Sequence, residues 1–286
     1  MAFITERARA KINLTLRVLG RRADGYHALE SLIVFADVGD EVRFVPGSER
    51  GVHMSGPYAA IPGGNLVDVA LERLAAADPQ LILGRVEVQK QLPIAAGIGG
   101  GSADAAAVLR AVRRCNPAST VDWGAVAAAL GADVSVCLAD RSALVWGVGE
   151  HVEPTANLPR LAAVLVCPPG APLGKTKQVF ARLSVPPAGP AHPPAPLPDF
   201  PDAAALIAYM RGVGNDLREA AHAAMPASAA AEAALAALPD CLYASLSGAG
   251  PTSYGIFADA ALAGAAAAKL RARHPDWWIV ATVIGD

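Results

Sequence analysis

Two hydrophobic periods take turns along this chain, and their order predicts a mixed fold. Residues 2–18 alternate well enough to read as strand, with Ala10-Lys11-Ile12-Asn13-Leu14-Thr15-Leu16 at its heart. Gly20-Arg21-Arg22-Ala23-Asp24-Gly25 is a turn cluster. Leu32-Ile33-Val34-Phe35 opens the next extended segment, and Glu41-Val42-Arg43-Phe44-Val45 alternates again. From Asn65 to Ala77 the period becomes helical, through Leu66, Val69, Ala70, Leu74 and Ala77. A strand over 85–90, a glycine loop, a helix over 102–115 and a short helix over 121–130 stopped by Gly131 come next. The second half reads as strand 162–167, alanine-rich helices over 203–211 and 217–237, strand Tyr243–Ser247 and strand Ser253–Phe257. A helix over 259–273 and a strand over 278–284 close it. Strands and helices mix without regular β-α-β alternation, which predicts an α+β fold rather than a doubly wound sheet.

A chain of 286 residues is long enough for two ordinary domains. The break between patterned regions falls at Glu153-Pro154-Thr155-Ala156-Asn157-Leu158-Pro159, so the expected domains are 1–157 and 158–286. Pro186 to Asp202 is proline-dense and predicts an irregular surface segment.

Composition narrows the partners. Hydrophobic residues make up 53% of the chain, much of it alanine, and aromatics only 5%, so the core is expected to rest on many small aliphatic contacts. A net charge of −2 offers no field for nucleic acid or an anionic membrane, leaving a small molecule as the expected partner. The four cysteines (Cys115, Cys137, Cys167, Cys241) have no C-x-x-C spacing, which argues against a zinc site or a disulfide framework and fits a reducing compartment. Glu6, Arg7, Arg9 and Lys11 fall where the apolar core of a signal peptide would lie, and no apolar run reaches about 18 residues. A soluble cytoplasmic protein is expected.

The chemistry concentrates in Pro93-Ile94-Ala95-Ala96-Gly97-Ile98-Gly99-Gly100-Gly101-Ser102-Ala103, which sets four glycines in five residues before a helix. Glycines let backbone N–H groups close around an anion, and the helix N-terminus adds its positive dipole end. Ser102 is placed either as N-cap or as a metal-facing hydroxyl. No lysine follows the glycines, so this is no Walker loop. Gln91-Leu92-Pro93 interrupts the strand that a dinucleotide fingerprint requires. The alternative is a turn needed only for strand–helix packing, but the density of the run favours phosphate, hence a nucleotide-using enzyme.

Four other positions each carry two readings. Lys11 and Asn13 share one face of their strand, as functional groups or as an edge strand with a snorkelling lysine. Asp24-Gly25-Tyr26-His27 could stack on a heterocycle or simply cap a hairpin turn. Asp133, flanked by apolar residues, is catalytic, paired or a helix N-cap. Leu246-Ser247-Gly248-Ala249-Gly250 is a second glycine loop or a tight hairpin.

Taken in order, these blocks resemble the GHMP kinase family: an early strand, a Pro-x-x-x-Gly-x-Gly-Gly-Gly-Ser loop and a late Ser-Gly-x-Gly loop. Ala10-Lys11-Ile12-Asn13-Leu14, Gly131-Ala132-Asp133-Val134 and Arg22-Ala23-Asp24-Gly25-Tyr26-His27 extend the likeness over nearly the whole chain. The last of them marks members whose acceptor carries a cytidine diphosphate. The resemblance implies an N-terminal nucleotide domain and a C-terminal ferredoxin-like domain with the active site between them. ATP would lie with its phosphates on Pro93 to Ala103, its adenine side drawing on Asn65 and Lys90, with Mg2+ near Ser102. Tyr26 would stack on the cytosine, His27 contact the base edge and Asn13 hold the methylerythritol end. Asp133 would take the proton of the acceptor hydroxyl while Lys11 keeps it ionised and offsets the charge of the transferring group. The resemblance further implies a cytoplasmic kinase of isoprenoid precursor supply, a monomer or weak homodimer. The chain departs from the family in Ala95-Ala96, where further glycines are commoner, in Pro251 after the late loop, and in its proline-rich insert.

Overall fold

The computed structural model describes residues 3–60, 64–155, 157–190 and 192–286. Ala2 of the expected first strand, Ala156 of the expected boundary and Ala191 of the proline-dense stretch lie outside them. The first strand divides into β1 (Ile4–Asn13) and β2 (Arg17–Arg21), and the two extended segments after it merge into one long β3 (His27–Pro46). At the break, Thr15 is stitched to β3: its hydroxyl accepts from Leu32 N at 3.1 Å and its carbonyl accepts from Ser31 Oγ at 2.6 Å. Two compact units follow, and they interleave along the sequence. One comprises Met1–Lys11, Val38–Ile94 and Gly99–Asp140, the other Ile12–Asp37, Ala95–Ile98 and Arg141–Asp286, so β1 and β3 contribute to both.

In the first unit the far half of β3 pairs antiparallel with β5 (Gly84–Gln89), itself parallel to β4 (Gly51–Ser55). Its helices are α1 (Leu66–Ala77), α2 (Gly100–Cys115), α3 (Trp123–Leu130) and α4 (Ala132–Ala139). Asn65 starts α1 and Asp122 starts α3, each accepting a bond from the backbone N–H three residues on. Alanine suits α2 twice over. It has the best helix propensity, and it lets α1, α3 and α4 all pack close to a helix buried from Ala103 to Leu109.

The second unit adds β6 (Ala143–Gly147), β7 (His151–Pro154), β8 (Leu161–Cys167) and α5 (Lys175–Phe180). After the proline-dense stretch come α6 (Ala203–Val213), α7 (Arg218–Ala224), α8 (Pro226–Ala236), β9 (Tyr243–Leu246), β10 (Ser253–Phe257), α9 (Ala260–Arg273) and β11 (Trp278–Ile284). The strand order β11-β8-β10-β9 is antiparallel throughout, the pattern of a ferredoxin-like sheet. Helices α8 and α9 cover this sheet, where Leu235, Ala263, Ala267 and Leu270 pack with Val164, Val166 and Phe257. The single helix expected over 217–237 is two, because Pro226 has no N–H to donate and takes the first position of α8. The described residues of 186–202 form no helix or strand; the one β-bridge in the segment joins Pro187 to Arg21.

Candidate active site

Helix α2 begins two residues earlier than its sequence suggests. Its N-cap is Gly99 in the left-handed region (φ 71°), so Ser102 stands in the first turn and does not cap the helix. The first-turn N–H groups have no intrahelical acceptor, a geometry that suits an anion. Two glycines are required by geometry. A Cβ on Gly97 (φ 79°) would lie 2.1 Å from the Gly250 carbonyl oxygen, so the two glycine loops touch; one on Gly99 would lie 3.3 Å from Lys11 Cβ.

Lys90 is spent inside the first unit. It is 3% exposed, and its ammonium donates to Asp40 and, at 2.5 Å, to Asp104, just past the first turn of α2. Asp40 also accepts from the backbone of Gln91 and Leu92, the latter at 2.8 Å. Burial alone would lower the pKa of Lys90, but the two carboxylates raise it. Burial pushes Asp104 up to about 7, with Asp40 adding to the rise and Lys90 opposing it. The ammonium ties the end of β5 to the start of α2. Asn65 is likewise engaged as a helix cap, its amide donating to Asp68 Oδ2 at 2.7 Å.

Lys11 and Asp133, 122 positions apart, meet at 2.5 Å. The lysine side chain is buried, whereas that of Asp133 is 54% exposed in the first turn of α4. The N-cap of α4 is Gly131, so Asp133 is not the cap that one reading of the sequence offered. Burial works against the Lys11 charge, yet the charge of Asp133 and its hydrogen bond leave the ammonium's pKa raised. The pair is thus a fixed cation beneath an accessible carboxylate, the arrangement a general base near developing negative charge needs.

The second unit holds the remaining expected residues. Asn13, buried at the end of β1, donates from Nδ2 to Ser31 Oγ at 2.7 Å and from its backbone N–H to Ser247 Oγ at 3.1 Å. The bond to Ser31 fixes its amide orientation, and Gly248 of the late loop leaves room beside Oδ1. Tyr26 is 67% exposed on the turn between β2 and β3, where Asp24 accepts from its backbone N–H at 3.1 Å and pairs with Arg22 at 2.9 Å. His27 lies 4.9 Å from the Phe180 ring, and burial, aided by Arg21, lowers its pKa and so favours the neutral imidazole. Tyr26, His27, Phe180, Thr176 and Lys177 line one cavity of about 1100 Å³. Phe180 and Thr176 were missed from the sequence, since they sit on the six-residue α5, too short to register as a period. An aromatic in so aromatic-poor a chain was the available signal.

Known proteins add the family. Residues 65–147 match the GHMP kinases N-terminal domain and residues 198–276 the GHMP kinases C-terminal domain. A 4-diphosphocytidyl-2-C-methyl-D-erythritol kinase of Dinoroseobacter shibae is 45% identical over 280 residues, covering 97% of this chain and 93% of that protein. The crystal structure of a 4-(cytidine 5'-diphospho)-2C-methyl-D-erythritol kinase superposes with a TM-score of 0.79 at 34% identity, over 99% of this chain and 100% of the other. A homoserine kinase from Cytophaga hutchinsonii shares the fold at TM-score 0.65 but only 16% identity, over 99% of this chain and 96% of the other. This chain belongs to the GHMP kinase family, in the group formed by the 4-diphosphocytidyl-2-C-methyl-D-erythritol kinases.

Proposed function

We propose that this protein transfers the γ-phosphoryl group of ATP to the 2-hydroxyl of 4-diphosphocytidyl-2-C-methyl-D-erythritol, in the methylerythritol phosphate route to isoprenoid precursors. The observation that carries the acceptor is the cavity in which the exposed Tyr26 ring, the Phe180 ring and a His27 that favours its neutral form are gathered. A flat, hydrogen-bonding base suits such a cavity, with the aromatic rings as stacking faces and the imidazole on the base edge. Homoserine and mevalonate carry no ring to fill it.

The acceptor is held by its base at Tyr26 and His27, with Asn13 turned toward the methylerythritol end. Asp133 accepts the proton of the hydroxyl as that oxygen bonds to the γ-phosphorus; the bond from phosphorus to the bridging oxygen breaks, and ADP leaves with its electron pair. Lys11 holds Asp133 in place and offsets negative charge on the transferring group. Pro93 to Ala103 receives the ATP phosphates, with Asn65 on the adenine side and Lys90 anchoring the loop from within. Mg2+ takes oxygen ligands and binds through few protein groups plus phosphates, so the partly exposed Ser102 hydroxyl fits it. When bound, the ion would neutralise phosphate charge. Following ADP release with Mg-ATP and three acceptors in parallel tests the reading: turnover is expected with 4-diphosphocytidyl-2-C-methyl-D-erythritol, and turnover with homoserine or mevalonate instead would discard the cytidine cavity.

A further inference from the structure

Three of the five lysines in this chain are buried: Lys11, Lys90 and Lys175. The first two are matched by carboxylates. Lys175, 5% exposed at the start of α5, is not; among the described residues its Nζ donates to the Ala95 carbonyl oxygen at 2.6 Å and pairs with no carboxylate. A buried ammonium on a neutral carbonyl lacks compensation for its charge, a costly arrangement unless an anion joins it. Burial accordingly pulls its pKa down to about 8, and the one titratable neighbour bearing on it is Cys167 of β8, a thiol that burial pushes up and keeps neutral.

Its location gives that missing anion a chemistry. Ala95 belongs to the glycine loop and holds a left-handed backbone (φ 55°), unfavourable for a residue with a Cβ. The next carbonyl, of Ala96, accepts from Thr252 Oγ1 at 2.8 Å and from Thr252 N at 3.2 Å. Two successive carbonyl oxygens, which would repel a phosphate, are therefore occupied by donors. An ammonium has three donors, and the bond to Ala95 uses one.

We propose that Lys175 is a charged phosphate ligand of the Ala95–Ile98 arm of the loop, binding a phosphate oxygen of the nucleotide or of the acceptor's diphosphate. The assignment rests on the kinase reading above. It adds a cation that the sequence pattern did not mark and that lies in the same compact unit as Tyr26 and His27.

The test is calorimetric titration of the full-length protein, Lys175→Met and Lys175→Arg with ATP, adenosine, CDP and cytidine. Lys175→Met should weaken ATP or CDP by about tenfold or more, the size of a charged hydrogen bond, while both nucleosides stay within about twofold. Whichever nucleotide loses affinity identifies the phosphate source, and Lys175→Arg should restore part of it. In the wild type, affinity for that nucleotide should fall as pH rises from 7 to 9.5, a trend absent from Lys175→Met. A neutral amine still donates to Ala95, so a purely structural lysine would show no such fall. Equal weakening of nucleoside and nucleotide, unchanged ATP and CDP affinities, or a flat wild-type profile would each overturn the assignment. The last holds even if the methionine variant fails to fold. A wild type that binds neither nucleotide would overturn the kinase reading and this one with it.

Discussion

At the scale of single residues, Lys11 and Lys90 look alike in the sequence, each a lysine beside apolar strand positions. Their surroundings separate them. Lys11 meets one half-exposed carboxylate, whereas Lys90 meets two buried ones. Only the first arrangement leaves a carboxylate for a substrate proton. Asp133→Asn should therefore bind ATP as the wild type does and lose about 10²- to 10⁴-fold in kcat, the usual contribution of a positioned base. Calorimetry with rapid-quench assays checks both halves, and a near-native rate would remove Asp133 from the chemistry. Tyr26→Ala should weaken CDP by roughly 1–3 kcal/mol, the worth of one base–aromatic stack, and leave ATP unchanged. Equal losses for both nucleotides would refute the stacking role. Lys11, Asn13, Tyr26, His27 and Asp133 were all legible as unusual residues, because a charge in an apolar strand or an aromatic in a turn stands out locally. Lys175 was not, because nothing around it is unusual until the chain is folded, and Phe180 offered only its rarity as an aromatic.

Elements were legible where they carried their own punctuation. Helices α1, α3 and α9 start at Asn65, Asp122 and Asp259, each of which accepts a backbone N–H bond, and Gly131 ends α3 as expected. Short elements such as β4, β7 and α5 span too few residues for a period to appear. The ends of β5 and α2 are joined by the buried Asp40, Lys90 and Asp104. Lys90→Met would leave two carboxylates buried without a counter-charge, so it should cost about 3–5 kcal/mol of stability. Thermal unfolding measures this. A variant with unchanged stability but weaker ATP binding would return Lys90 to the nucleotide and contradict its anchoring part.

Across the whole molecule, the compact units are assembled from interleaved segments. The second unit takes Ile12–Asp37 from early in the chain, and with it Leu16, which packs with Val179, Leu217, Met225 and Leu246. Ala36 pairs there with Ile284 of β11, and Tyr254 donates from its buried hydroxyl to the Leu14 carbonyl oxygen at 3.0 Å. A fragment of residues 158–286 lacks all of these partners. It should keep helical far-ultraviolet dichroism but unfold without a cooperative transition and bind a hydrophobic dye. A sharp, cooperative melt would show that the early segment is dispensable to the unit.

By itself the sequence determined most of the longer elements and singled out the residues unusual enough to carry chemistry, because periodicity, caps and glycine runs act within a few residues. That was enough for the α+β class, and the motifs, by resemblance, for the family. Tertiary structure alone decided which buried charges are matched, since a lysine's partner can lie 122 positions away, as Asp133 does from Lys11. It also decided which early strand completes which late sheet. Pairing and burial are properties of distance in space, and a one-dimensional pattern does not contain that distance.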